Sequence, residues 1–158
     1  MPTITPVTLA TIPYSVQLAR ELHRLGSFRD IEFEHEVTTQ RFIGIMSSPN
    51  WFFQIARDDD DVYCGAMMGH VDTFIFSNQL LAIENALYVR EGTKWRTKIA
   101  AQLVRSFVKW ALDDKGATHV QTGDIASIDS LAVASFYKHM GFKQWGVIYK
   151  YSRPGSVV

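Results

Sequence analysis

Arg90, Lys94, Arg96 and Lys98 crowd a short run that leaves the apolar segment Leu87-Tyr88-Val89 and enters a strongly amphipathic segment beginning near Thr97. A strand that passes through a basic loop into a helix has the layout of an anion site. The first amides of a helix have no intrahelical acceptor, and the helix dipole adds partial positive charge there, so a phosphate is held largely by backbone. The chain balances 16 Lys+Arg against 16 Asp+Glu. The positive charge is therefore local, and a nucleic-acid partner recognised by bulk charge is not expected.

Other reactive residue types narrow the chemistry. Cys64 is the single cysteine and lies in an apolar run, which reads as a small buried thiol in a reducing, cytoplasmic compartment. His23, His35, His70, His119 and His139 show no paired ligand spacing, so no metal is expected. Neither a Gly-x-Ser-x-Gly elbow nor a Walker loop supports a hydrolase or an NTPase. No apolar stretch approaches the ~20 residues of a membrane span, and Met1-Pro2-Thr3-Ile4-Thr5-Pro6 lacks the basic and apolar regions of a signal peptide. Asp30, Glu32, Glu34 and Glu36 alternate with other residues in a stretch that reads either as a solvated acidic loop or as an attractor for a cationic amine. Trp51, Phe52, Phe53 and Trp110 read as core.

These residues must be positioned by one domain: 158 residues with 47% hydrophobic and 20% charged suit a single core. Ile4 to Leu9 reads as a first strand. A helix follows from Pro13, with Ser15, Leu18, Ala19, Leu22 and Leu25 on its apolar face and Gly26 at its end. A weaker helical pattern runs through Val37, Phe42, Ile45 and Met46 and stops at Ser47-Ser48-Pro49-Asn50. Trp51 to Arg57, Val62 to Phe76 and Leu80 to Val89 are strand-like, and their short polar connections imply consecutive antiparallel pairing. Helical spacing over Thr97 to Leu112 defines the strongest helix. A strand over His119 to Gly123, a helix over Ser130 to Met140 ended by Gly141, and a last strand over Gln144 to Tyr151 complete the order β-α-α-β-β-β-α-β-α-β. The fold class is mixed α/β, mostly antiparallel, with a helical crossover between the fourth and fifth strands. Residues 1–151 form the domain and 152–158 a frayed tail.

Two segments resemble the GNAT superfamily of acyl-CoA N-acyltransferases. Leu87-Tyr88-Val89 with Ile99-Ala100-Ala101-Gln102-Leu103-Val104 is similar to that family's fourth strand and the helix that follows its pyrophosphate loop. Phe136-Tyr137-Lys138-His139-Met140-Gly141-Phe142 is similar to its Tyr-x-x-x-Gly-Phe signature. The loop departs from the family's Arg-Gly-x-Gly-x-Gly/Ala pattern, since Trp95-Arg96-Thr97-Lys98-Ile99-Ala100 contains no glycine to permit close backbone approach. Aligned without a gap, Trp95 stands where the family has its arginine; a one-residue deletion, the preferred alignment, puts Arg96 there and retains a cation and a hydroxyl.

The resemblance implies an N-acetyltransferase moving an acetyl group from acetyl-CoA to a primary amine of a small molecule or protein. It assigns the strand end at Val89, the side chains of Arg96, Thr97 and Lys98, the amides of Ile99 and Ala100, and the Ser130 hydroxyl to the cofactor. It places Tyr137 beside the cofactor sulfur as general acid. The family's carboxylate falls at Asn85 here, with Glu84 one step earlier. Glu84 then serves as base or water-holder only if a bulge turns it to the Leu87-Val89 face; the other reading is an edge or paired carboxylate. A GNAT-fold protein without catalysis, serving as a binding or structural component, is the alternative function, and a homodimer is compatible with the resemblance.

Overall fold

Three consecutive apolar runs build the centre of the protein, a computed structural model that describes residues 1–124, 126 and 128–146. The elements are β1 (Thr3–Pro6), α1 (Ile12–Leu25), α2 (His35–Met46), β2 (Trp51–Arg57), β3 (Tyr63–Thr73), β4 (Leu80–Val89), α3 (Arg96–Lys109), β5 (His119–Gln121) and α4 (Ser130–His139). The strands lie side by side in chain order. The first four are antiparallel, and β5 runs parallel to β4 after the α3 crossover. This is the mixed α/β architecture expected from the sequence.

Local chemistry moves several boundaries. The first strand ends at Pro6 rather than Leu9, because Thr8 and Thr11 close a turn (Thr8 N to Thr11 Oγ1 2.8 Å, Thr11 N to Thr8 O 2.9 Å) that sends the chain into α1. On α1, Leu25 is half-exposed while Val16 is buried, so the apolar face is rotated toward Ile12 and Val16. The third run stops at Thr73, where Phe74 N bonds Gln79 O and closes the hairpin tip. A π turn over Trp110–Asp114 extends α3. Of the last expected strand, Gln144 to Gly146 are not extended in a sheet; residues 147–151 and the tail 152–158 lie outside the described residues.

The sheet is covered on both faces. Phe52, Met67, Ile99, Leu103 and Phe107 belong to the layer beneath α3 and α4; Ile12, Val16, Leu18, Phe42 and Ile55 form the layer with α1 and α2. On α3, Ile99, Leu103, Val104 and Phe107 are fully buried at helical spacing. Each such side chain is worth roughly 1.5–3 kcal/mol of burial, which holds the helix start in place.

Gly69 lets α3 approach the sheet. A Cβ built there would lie 2.6 Å from Phe107 Cε2 and 2.7 Å from the Ile83 carbonyl oxygen. The backbone oxygen cannot swing aside. Gly69→Ala should therefore cost roughly 1–3 kcal/mol as overpacking, measured by denaturant unfolding; an unchanged midpoint would show that α3 is free to back away.

Candidate functional site

The centre of the site is a change of parity in β4. In the β3–β4 ladder, Met68 pairs with Ala86 but Gly69 pairs with Glu84, so Asn85 is an extra residue in β4. Without it, Glu84 would share a face with Ala86 and Tyr88. With it, Glu84 joins the face of Ala82, Leu87 and Val89, beneath α3 and α4. The bulge on which the Glu84 reading depended is present.

β5 leaves β4 at the same point. Their parallel ladder joins Leu81 to His119, Ala82 to Val120 and Ile83 to Gln121, and goes no further. Beyond Ile83 the edge of β4 is open among the described residues. Arg90 N donates to Cys64 O at 2.8 Å, so Arg90 and Tyr88 direct their backbone groups toward β3. By alternation, Leu87 and Val89 direct theirs into the split.

Tyr137 closes the inner end of that split. Gly141, at φ +93°, lets α4 end so that Phe142 N reaches Tyr137 O at 3.0 Å, which fixes the last turn. The Tyr137 hydroxyl then donates to Glu84 Oε2 at 2.5 Å, and both side chains are buried. The Gly123 amide also donates to this carboxylate. Burial pushes the Glu84 carboxyl up to about 7 against the downward pull of these hydrogen bonds, with Asp124 adding to the rise. Burial first, and the charge of Glu84 next, push the Tyr137 phenol well above its ordinary range.

The basic loop is built differently from its sequence reading. Arg90 is spent on α1: its guanidinium makes a forked pair with Glu21 (Nε–Oε2 2.9 Å, Nη2–Oε1 2.8 Å). The Arg90 hydrogen bond holds the Glu21 carboxyl below its usual value despite some burial. Lys94 lies 4.0 Å from Asp59. Arg96 opens α3 and its Nε donates to Val89 O at 3.0 Å, across the open edge. Lys94 and Lys98 flank the half-exposed Trp95 ring, with Nζ at 5.5 and 5.6 Å from its centroid. Trp95 caps α3 in the left-handed region, φ +66° and ψ 22°.

That register corrects one expectation. The amide of Ile99 donates to Trp95 O at 2.9 Å, its side chain is fully buried, and Ala100 lies in the next turn. The helix-start amides without an acceptor among the described residues are those of Thr97 and Lys98, earlier in the turn than the ones assigned from the resemblance. Thr97 and Lys98 are exposed. Ser130 is also exposed, as the first residue of α4, while Asp129 caps that helix through Ala132 N at 3.1 Å. On the opposite face of the sheet, Asn85 Oδ1 meets His70 Nδ1 at 2.6 Å. Sequence reading did not select that pair, since the residues are separated along the chain and only the bulge brings their side chains together.

Glu84 makes a pH signature. Between about 4.5 and about 7 the folded protein retains a proton on Glu84 that the unfolded chain has released. The resulting stability is complete below the lower value and lost as pH rises through the upper one. The unfolding free energy of the wild type relative to Glu84→Gln should accordingly fall across that window. A difference independent of pH would mean that the carboxyl is ionised throughout.

By sequence, no protein-family model and no curated protein matches the chain. Solved structures do resemble it. AAC(6')-Iy bound to the bisubstrate analogue CoA-S-monomethyl-acetylneamine superimposes with a TM-score of 0.76 at 15% identity, over 97% of this chain and 99% of the other. The aminoglycoside 6'-N-acetyltransferase AAC(6')-Ih of Acinetobacter baumannii matches at TM-score 0.70 and 18% identity, over 98% and 100%. The aminoglycoside acetyltransferase meta-AAC0020 from an uncultured soil sample matches at 0.70 and 20%, over 96% of each chain. Matches of this extent and identity are matches of fold: the protein shares the fold of these acetyltransferases.

Proposed function

We propose that the protein is an N-acetyltransferase that transfers an acetyl group from acetyl-CoA to a primary amine. The observation that carries this reading is the open edge of β4 ending against the buried Tyr137–Glu84 pair. Support comes from the solved structures of the same fold, which are acetyltransferases, one of them bound to a CoA-derived bisubstrate analogue.

The residues present fit acetyl-CoA. The amides of Thr97 and Lys98 and the side chains of Arg96, Thr97 and Lys98 form the anion-binding end, where a pyrophosphate would be neutralised. Ile99 and Ala100 anchor that end to the core rather than contacting the ligand by amide. The backbone groups of Leu87 and Val89 offer a strand edge to an extended amide-bearing arm, with Arg96 yielding the Val89 carbonyl. Ser130 supplies a hydroxyl at the start of α4. Acetyl-CoA brings an activated thioester, whose transfer requires a proton on sulfur.

Tyr137 provides that proton. Its hydroxyl is near-inert as an acid while Glu84 is ionised, because deprotonation would place two negative charges together. When Glu84 carries a proton, it donates to the phenol oxygen, and Tyr137 can pass its own hydrogen outward. Glu84 thus acts through Tyr137 as a proton-holding residue on the α3 and α4 face of the sheet. The acceptor is a small-molecule or protein amine. Aminoglycosides, on which the named neighbours act, are the first class to assay.

Acetyl-CoA at ~100 times its dissociation constant should stabilise the protein by roughly 2.7 kcal/mol, read as a rise in Tm. No shift would favour the non-catalytic reading of this fold. Tyr137→Phe should lower kcat by about 10²-fold or more while leaving that shift in place; an unchanged kcat would remove Tyr137 from the proton transfer.

A further inference from the structure

The bulge that turns Glu84 to one face sends Asn85 to the other, and what Asn85 meets there is His70. In the β3–β4 register His70 lies opposite Ile83, one residue on from Gly69 and Glu84, so it stands on the α1 and α2 face. Its Nδ1 is 2.6 Å from Asn85 Oδ1, and its ring stacks on half-buried Trp51 at 4.7 Å between centroids and 30° between planes. An amide oxygen is acceptor-only, so the hydrogen of the neutral imidazole sits on Nδ1 and the lone pair on Nε2. Trp51 and Asn85 fix both the plane and the tautomer of one half-buried ring at the place where β4 and β5 separate.

From this geometry we infer that His70 is the base for the acceptor amine, held by Asn85, with Nε2, which has no hydrogen-bond partner among the described residues, placed to take the proton that an attacking amine must lose. This rests on the acetyl-transfer reading above. The step balances without a further reactant. The amine lone pair forms the C–N bond, His70 Nε2 accepts the proton shed by nitrogen, the C–S bond breaks, and sulfur receives the Tyr137 hydrogen. One proton is taken on each turnover and one is given. The two groups stand on opposite faces of the sheet, and the split between β4 and β5 is the passage between them.

Two measurements test the assignment on the intact protein. Long-range proton–nitrogen NMR should find neutral His70 protonated on Nδ1, and Asn85→Ala should abolish that preference; an Nε2–H ring in the wild type overturns the proposal before any acceptor is known. With neamine as acceptor, His70→Gln should lower kcat by ~10²-fold or more, with the Tm shift by acetyl-CoA retained. An unchanged kcat in that variant also overturns it. Loss of the acetyl-CoA shift in the wild type would instead fail the acetyl-transfer reading, while the tautomer result still decides the state of His70.

Discussion

One inserted residue in β4 governs this structure. A strand has a side-chain period of two, so a single extra residue exchanges the faces of everything beyond it. Asn85 is that residue. It allows Ala82 and Glu84 on one side of the bulge, and Leu87 and Val89 on the other, to present to the same helices. Gly69, opposite Glu84, contributes no side chain, and the space is filled by Phe107 of α3. The seating of α3, the burial of a carboxylate and the contact with Tyr137 of α4 follow from the same local irregularity. A regular β4 would place that carboxylate on the α1 and α2 face, away from Tyr137.

The loop before α3 shows how a glycine-poor sequence keeps such a turn. Trp95 in the left-handed region costs on the order of 1–2 kcal/mol. Against this stand Ile99, Leu103, Val104 and Phe107, all fully buried, whose burial favours one position of the helix and therefore one position of its first residue. The lysines on either side of the indole offset a further part at the exposed-site value of about 0.5–1 kcal/mol each. Core packing thus sets the conformation of the loop, whereas a glycine would merely have permitted it.

Much of this was legible in the sequence, and the parts that were not share a cause. The bounds of β2 and β4 follow from apolar runs ended by short polar connections, and both are found as expected. Tyr137 was singled out by the resemblance to the Tyr-x-x-x-Gly-Phe signature, and it lies buried on α4. The face of Glu84 was not, since a bulge at Asn85 leaves no mark in residue type and is decided by pairing with β3. Arg90 was counted in an anion patch because its neighbours are basic, yet its partner Glu21 lies on α1. The free amides shifted from Ile99 and Ala100 to Thr97 and Lys98 because helix starts depend on cap geometry, and Trp95 is an unusual cap. Periodicity reports burial within an element; contacts between distant elements redistribute the charges.

In the proposed reaction, the same division lets two proton-handling groups coexist without cancelling. A base and an acid placed together in a buried site exchange a proton and lose both functions, as oppositely charged neighbours raise and lower one another's affinities. Here the sheet separates them. Glu84 and Tyr137 lie under α3 and α4, where burial raises the proton affinity of both. His70 and Asn85 lie on the other face, half-buried and exposed respectively. Burial favours a neutral, proton-bearing pair on one side, and the contact with Asn85 holds the His70 ring on the other. The residue that reverses the parity of β4 is therefore also the residue that keeps these environments apart, because Glu84 and Asn85 are adjacent in the chain and point to opposite faces of one sheet.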